Sequence, residues 1–211
     1  MFALVNKSNN SIIKMYNGRQ GVLIGDNQYP KSIFSLWSES ERNAIDIYTV
    51  EMNESKKKDE QWYINTGITY SFDGSKVTGS YGDATAKAHA DTTWTSQDKT
   101  DGLIPNGKDV GDVKVEGLKT VLIRQVKHQA ESELNKTDWY VIRKADTDEA
   151  IPSSIATHRA AVRSKQAAME TSITNASDTP ALETLYTPVN TADEGDPVVM
   201  ERPIGEIPTL D

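Results

Sequence analysis

The sequence predicts an α+β fold: a β-rich N-terminal unit, then an antiparallel helical hairpin, then an extended acidic C-terminal arm. Three observations predict it. Apolar residues alternate around Asp73-Gly74 between positions 62 and 81, and from Leu118 onward they recur every four residues. The last 25 residues combine four prolines with six acids. The first pattern has the period of a strand and the second that of a helix, and the third segment is too polar to fold alone.

Residues 1–81 form the β-rich unit. Residues 2–5 and 11–16 flank the polar turn Asn6 to Asn10 and read as a β-hairpin, and Gly21 to Ile24 is a third short apolar run. Ile33, Phe34, Leu36 and Trp37 form an apolar cluster. Ser38 followed by Glu41 has the spacing of a capping box, and Ile47, Tyr48 and Val50 read as a strand. Lys56-Lys57-Lys58 lies between Glu54 and Asp59-Glu60, so its charge is neutralised and it reads as a solvated loop. Trp62, Ile64, Tyr70 and Phe72 lead into Asp73-Gly74, followed by Val77 and Tyr81. An Asp-Gly pair supplies the positive φ of a hairpin turn.

Residues 82–112 turn to Asp, Thr, Gly, Lys and Ala around Trp94, and read as a long loop linking two units. Residues 113–186 are the helical hairpin unit. Leu118, Leu122, Val126, Ala130 and Leu134 make one stripe, widened by Val115 and Ile123. Ile155, Val162, Met169 and Ile173 make a second, with Ala161 and Ala168 allowing close approach and Pro152 at the first helical position. Thr137-Asp138-Trp139 reads as the turn between them. Thr179 and Pro180 open a short helix carrying Leu182, Leu185 and Tyr186. Residues 187–211 are the arm. Val198, Val199, Met200, Ile204, Ile207 and Leu210 are spaced to dock along a partner surface in extended form.

Composition bounds the function. The 36% of apolar residues together with 13 glycines in 211 fall short of the roughly 45–50% of an ordinary domain, so the core is lean. The net charge of −8 argues against nucleic acid, and the ten bases of residues 113–186 are matched by ten acids. There is no cysteine, and no run of ~18 apolar residues suggests membrane insertion. The start lacks the basic and apolar regions of a signal peptide.

His89, His128 and His158 are far apart, without a second ligand at metal spacing, and Asp146-Thr147-Asp148-Glu149 lacks the glycine and terminal Glu of a calcium loop. No nucleophile elbow, phosphate-cradling loop or zinc-protease motif occurs. The sequence therefore gives no catalytic, cofactor-binding or metal residue, and reads as no enzyme.

One run goes further. Glu133-Leu134-Asn135-Lys136-Thr137-Asp138-Trp139, then Arg143-Lys144-Ala145, Ala150-Ile151-Pro152 and His158-Arg159-Ala160-Ala161-Val162-Arg163, resembles a segment of small tail proteins of tailed bacteriophages of marine type. Those proteins are tail-fibre or baseplate components, or tail-fibre assembly chaperones. The resemblance covers about residues 118–186. It implies a structural, non-enzymatic subunit of the phage tail, assembled in the host cytoplasm and carried in the virion. Its partners would be other tail or baseplate proteins, with a host surface glycan as a further ligand. A longer insertion before the second helix and the acidic arm depart from the chaperone pattern and favour a protein kept in the particle.

The residues then take expected roles. Trp139 wedges against both stripes, so that Trp139→Ala costs ~3–5 kcal/mol. Asp138 caps backbone donors in the turn. Arg159 and Arg163, four apart, present one cationic edge to a partner. The lean core and wide stripes predict a homo-oligomer, a trimer or a ring. From a different class comes a carbohydrate-binding or depolymerising module using Trp94 or Trp139.

Overall fold

A computed structural model describes residues 1–210; Asp211, the last acid of the arm, lies outside the described residues. The fold mixes 35% helix with 22% strand, an α+β content. The chain divides into two compact units, Met1–Thr85 and Ala86–Asp211.

The first unit contains β1 (Phe2–Asn6), β2 (Ser11–Tyr16), β3 (Val22–Ile24), β4 (Asn27–Tyr29), α1 (Ile33–Leu36), α2 (Glu39–Ala44), β5 (Ile47–Asn53), β6 (Tyr63–Ile64), β7 (Ile68–Phe72) and β8 (Val77–Tyr81). Five strands form one sheet in the order β2-β1-β5-β8-β7. All neighbours are antiparallel except β5 and β8, and the register of β1 against β2 shifts between Leu4 and Val5. Period-two alternation sorts the side chains onto two faces. Ala3, Val5, Tyr48, Val50, Phe72 and Val77 make one cluster, onto which Ile12, Met15 and Tyr70 pack from the edge strands. Leu4, Val22, Ile33 and Ile47 make the other, ringed by Phe2, Tyr16, Tyr29, Phe34 and Trp37.

The turn chemistry fixes the register. Ser38 and Glu41 form a full capping box on α2. In the β7–β8 turn the Asp73 carboxylate accepts from the amides of Ser75 (2.8 Å) and Lys76 (2.9 Å), with Gly74 at φ +98°. Across the hairpin Tyr70 faces Gly79, where a Cβ would stand 2.9 Å from the Tyr70 ring and from Met52 Sδ. Leu36 departs from the expected cluster: it is exposed, because α1 is a single turn that buries only Ile33. The lysine run is engaged locally, Lys56 with Asp83, Lys57 with Glu54, and Lys58 over the Tyr63 ring.

β9 (Thr85–Ala86) spans the division. The second unit then holds β10 (Thr92–Thr93), α3 (Ser96–Thr100), β11 (Val113–Val115), α4 (Leu118–Asn135), α5 (Asp138–Thr147), α6 (Ser153–Asn175), α7 (Thr179–Tyr186), β12 (Val189–Asn190) and β13 (Met200–Glu201). The segment 82–112 is therefore no linker over most of its length. Residues 87–91 are built into this unit: Lys87 O accepts from Thr179 Oγ1 (2.6 Å), Ala88 O and His89 O accept from the first amides of α4, and Asp91 Oδ1 accepts from Gly117 N. These contacts satisfy donors that a helix start leaves free.

α4 and α6 lie side by side in opposite directions. Lys119 Nζ near the start of α4 donates to Thr174 O near the end of α6 (2.8 Å), and Arg159 near the start of α6 reaches Leu134 O at the end of α4. Leu122, Val126 and Ala130 meet Ile155, Val162, Met169 and Ile173 in the buried layer. Ala161 and Ala168 face outward instead, and the alanine that α4 and α6 bury between them is Ala130. Pro152 precedes α6 as its N-cap, and Asp178, not Thr179, caps α7 through its bond from Ala181 N.

Candidate functional site

Two surfaces of the helical unit stand out, and both are set up by buried polar residues. At the corner after α4, Thr137 and Arg159 are buried. Arg159 Nη1 donates to Leu134 O (2.8 Å) and to Thr137 Oγ1 (2.7 Å), and stands 2.8 Å from Asp138 Oδ1. Thr137 Oγ1 in turn donates to Leu134 O at 3.0 Å. A guanidinium at the carboxyl end of one helix and a carboxylate in the first turn of the next both suit the backbone dipoles.

The corner revises the roles read from the sequence. Arg159 is 6% exposed and locks the fold; it is not part of a partner-facing edge. Asp138 forms no side-chain cap and acts through Arg159. Trp139 is not a wedge, for it is 51% exposed. The physical reason is α5. The Thr137-Asp138-Trp139 run is no turn but opens a helix that starts at Asp138, so Thr137 fills the corner and Trp139 turns outward.

No residue of α5 is buried. Trp139, Val141 and Ile142 are exposed, Ile142 by 68%. The Trp139 and Tyr140 rings stack with centroids 3.8 Å apart, and Arg143 lies over both, at 4.8 and 5.3 Å. Pairs of Arg143 with Glu149 (3.1 Å) and of Lys144 with Asp148 (2.6 Å) hold the end of the helix, where Asp148 takes a left-handed cap. The helix is therefore ordered by polar contacts while its apolar side chains stay in solvent. Arg163 is exposed, on a shallow groove with Leu134, Gln166, Ala167 and Glu170.

The second surface is a groove along α4 that the chain's own end straps over. Its floor is Gln125, His128, Gln129, Ser132 and Glu133, positions that share one helical face. Arg202 to Thr209 form its far wall, enclosing about 440 Å³. Ile204 is 3% exposed and its amide donates to Leu185 O (3.0 Å). The Leu210 amide donates to Glu133 Oε1 (2.6 Å). Glu133 is buried, and Lys136 Nζ (2.5 Å) and then the Leu210 amide hold its carboxyl below the usual carboxylate range. His158 Nε2 stands 3.2 Å from Glu133 Oε1 without hydrogen-bond alignment. Burial pushes the Tyr186 phenol, on the same groove, up.

The arm thus divides. Ile204 and Ile207 pack on their own chain, which corrects their reading as partner contacts, while Leu210 is tied by its amide and keeps its side chain exposed. Val198, Val199 and Met200 remain exposed beside the two-stranded ribbon β12–β13, in which Val189 pairs with Glu201 and Asn190 with Met200. Glu133 is the residue that sequence reasoning missed. The signal was present in the seven-residue step from Val126, which returns Glu133 to the buried face, whereas the eight-residue step to Leu134 drifts off it.

Among the described residues no group of three His, Cys, Asp or Glu is placed to hold a metal ion, and no helix is long and apolar enough to cross a membrane. Comparison with protein-family models, with curated proteins and with solved structures finds no match.

Proposed function

We propose that this chain is a structural, non-enzymatic subunit of a bacteriophage tail, at the baseplate or tail fibre, that works by protein–protein assembly. The observation that supports it most is α5, a helix with no fully buried residue that exposes Trp139, Val141 and Ile142. Exposed apolar side chains on a pre-ordered element are the usual mark of an interface. The tail-protein resemblance of residues 133–163 supplies the identity of the assembly. In this reading the α4–α6 helical hairpin is the rigid body, α5 and the exposed part of the acidic arm are contact surfaces, and copies associate as a trimer or ring. Mass spectrometry of purified virions tests it: stoichiometric peptides of this chain are expected. Their absence from virions, with presence in infected cytoplasm, would replace the reading with a tail-fibre assembly chaperone.

A second reading has its own observation. Trp139 stacked on Tyr140 beside Arg143 is a solvent-facing aromatic platform, as a carbohydrate-binding receptor module would use. A glycan array with the isolated protein, blank for the parent and for Trp139→Ala alike, removes it.

A further inference from the structure

The groove on α4 holds its own chain's end by contacts that any second copy would reproduce. We propose that it receives the C-terminal strap, residues 204–210, of a neighbouring copy, so that assembled subunits exchange straps. This rests on the assembly reading above and specifies one of its contacts.

The occupant is identified by the fit. Ile204 is buried with its amide on Leu185 O, and the Leu210 amide finds the buried carboxylate of Glu133. Between them Gly205, at φ +73°, lets Lys165 cross the strap: a Cβ there would stand 2.1 Å from Lys165 Nζ.

Charge makes the same match. Among the described residues Lys119, Arg163 and Lys165 of α4 and α6 form no ion pair, and Lys165 lies against the strap at Gly205. Residues 187–210 carry five carboxylates against Arg202. In the closed chain only Glu206 is paired, with Arg202; among the described residues Asp193, Glu194, Asp196 and Glu201 form no ion pair.

The connection is built to open. The chain leaves at Leu185 and returns at Ile204, whose amide bonds Leu185 O, so residues 186–203 make an excursion that ends where it began. Its contacts are mostly internal, two residue pairs of ribbon extended by the Thr191 amide on Val199 O and the Val199 amide on Asn190 Oδ1, and nearly all of its side chains are exposed. An isolated two-stranded ribbon is marginal in water, and this length of chain, extended, spans roughly 60 Å. Exchange keeps every contact of the seat and brings the Val198, Val199 and Met200 side chains, which the closed form leaves in solvent, against the adjoining copy.

The absence of cysteine makes the test clean. Ser132 and Thr209 line the same groove. Chains carrying Ser132→Cys and chains carrying Thr209→Cys, one lengthened by a tag, are co-expressed and treated with a short bis-maleimide. The expected major product is a covalent pair of unequal chains, and the double variant should link into dimers and larger species. A double variant that gives only internally linked monomer, with no product from the mixed single variants, overturns the proposal. Light scattering separates this from the broader reading. Ile204→Asp in the full chain, which unseats the strap in any copy, is expected to lower the oligomer order. If links stay internal while the parent and Ile204→Asp remain oligomeric, strap exchange falls and assembly stands. If links stay internal and the parent is monomeric, strap exchange and the trimer or ring fall together, and assembly is left to contacts with other tail proteins.

Discussion

The two units bury different things. Among the described residues the first unit's fully buried set is apolar, whereas the second buries Glu133, Thr137, Arg159 and Thr179 among its apolar residues. Each of these polar groups holds a segment outside the α4–α6 pair. Thr179 holds the entry at Lys87, Thr137 and Arg159 hold the corner before α5, and Glu133 holds the strap. A sheet needs no such help, because its ladder already fixes where each strand lies. Two packed helices leave irregular segments unplaced, and directional hydrogen bonds supply the placement that apolar contact, being non-directional, does not.

The comparison breaks most visibly in the sheet. Phe72→Ala removes a ring that packs 4.9 Å from Tyr48 and is expected to cost ~3–5 kcal/mol, read as a lowered urea midpoint of the first unit. Next comes Arg159→Met, which roughly keeps volume but removes the guanidinium that ties Leu134 O, Thr137 Oγ1 and Asp138 together. It should cost ~2–3 kcal/mol in the second unit. Thr137→Val should be less than additive with it. Full additivity in a double-mutant cycle would show that the corner is not a coupled lock.

Acid sharpens the contrast further. Backbone donors from Lys76 and Ser75 hold Asp73 at about 2, and Lys114 with Thr95 holds Asp98 at about 2, each below the ordinary 3.8. A carboxylate with a depressed folded value contributes stability that is complete above the unfolded value and is lost as pH falls toward the folded one. Asp73→Asn should therefore flatten the pH 4 to pH 2 limb of the first unit's melting curve, and Asp98→Asn that of the second. Equal flattening of both limbs by either change would contradict two separately held turns. The smallest effect is expected of Trp139→Ala, within about 0.5 kcal/mol of the parent in the same melt, since the indole is half in solvent.

What the chain discloses in its sequence follows the same divide. The β7–β8 hairpin was legible because Asp73-Gly74 and the alternation of Tyr70, Phe72 and Val77 act locally, and so was the Ser38–Glu41 capping box. The heptad of Ile155, Val162 and Met169 announced the buried face of α6. Arg159 lies in that same face, but a buried arginine is legible only with its acceptors, and those sit 22 and 25 residues away. α5 was hidden for another reason. Thr-Asp-Trp has the composition of a turn, and the helix that follows lacks an apolar face committed to the core. The strap was half legible: the spacing of Ile204 and Ile207 announced docking, but not that the receiving surface belongs to the same chain.

The bond from Leu210 to Glu133 joins positions 77 apart, and the donor stands at the end of the described chain. On a ribosome this ordering becomes a clock. At roughly 5–20 residues per second, the strap follows its receiving carboxylate by on the order of 4–15 s. Through that interval the whole first unit has already been made, while α4 waits with an acid that has only Lys136 and His158 beside it. Chains read from one message emerge side by side during this wait, so the strap that arrives first at a given groove need not be the one made on the same ribosome.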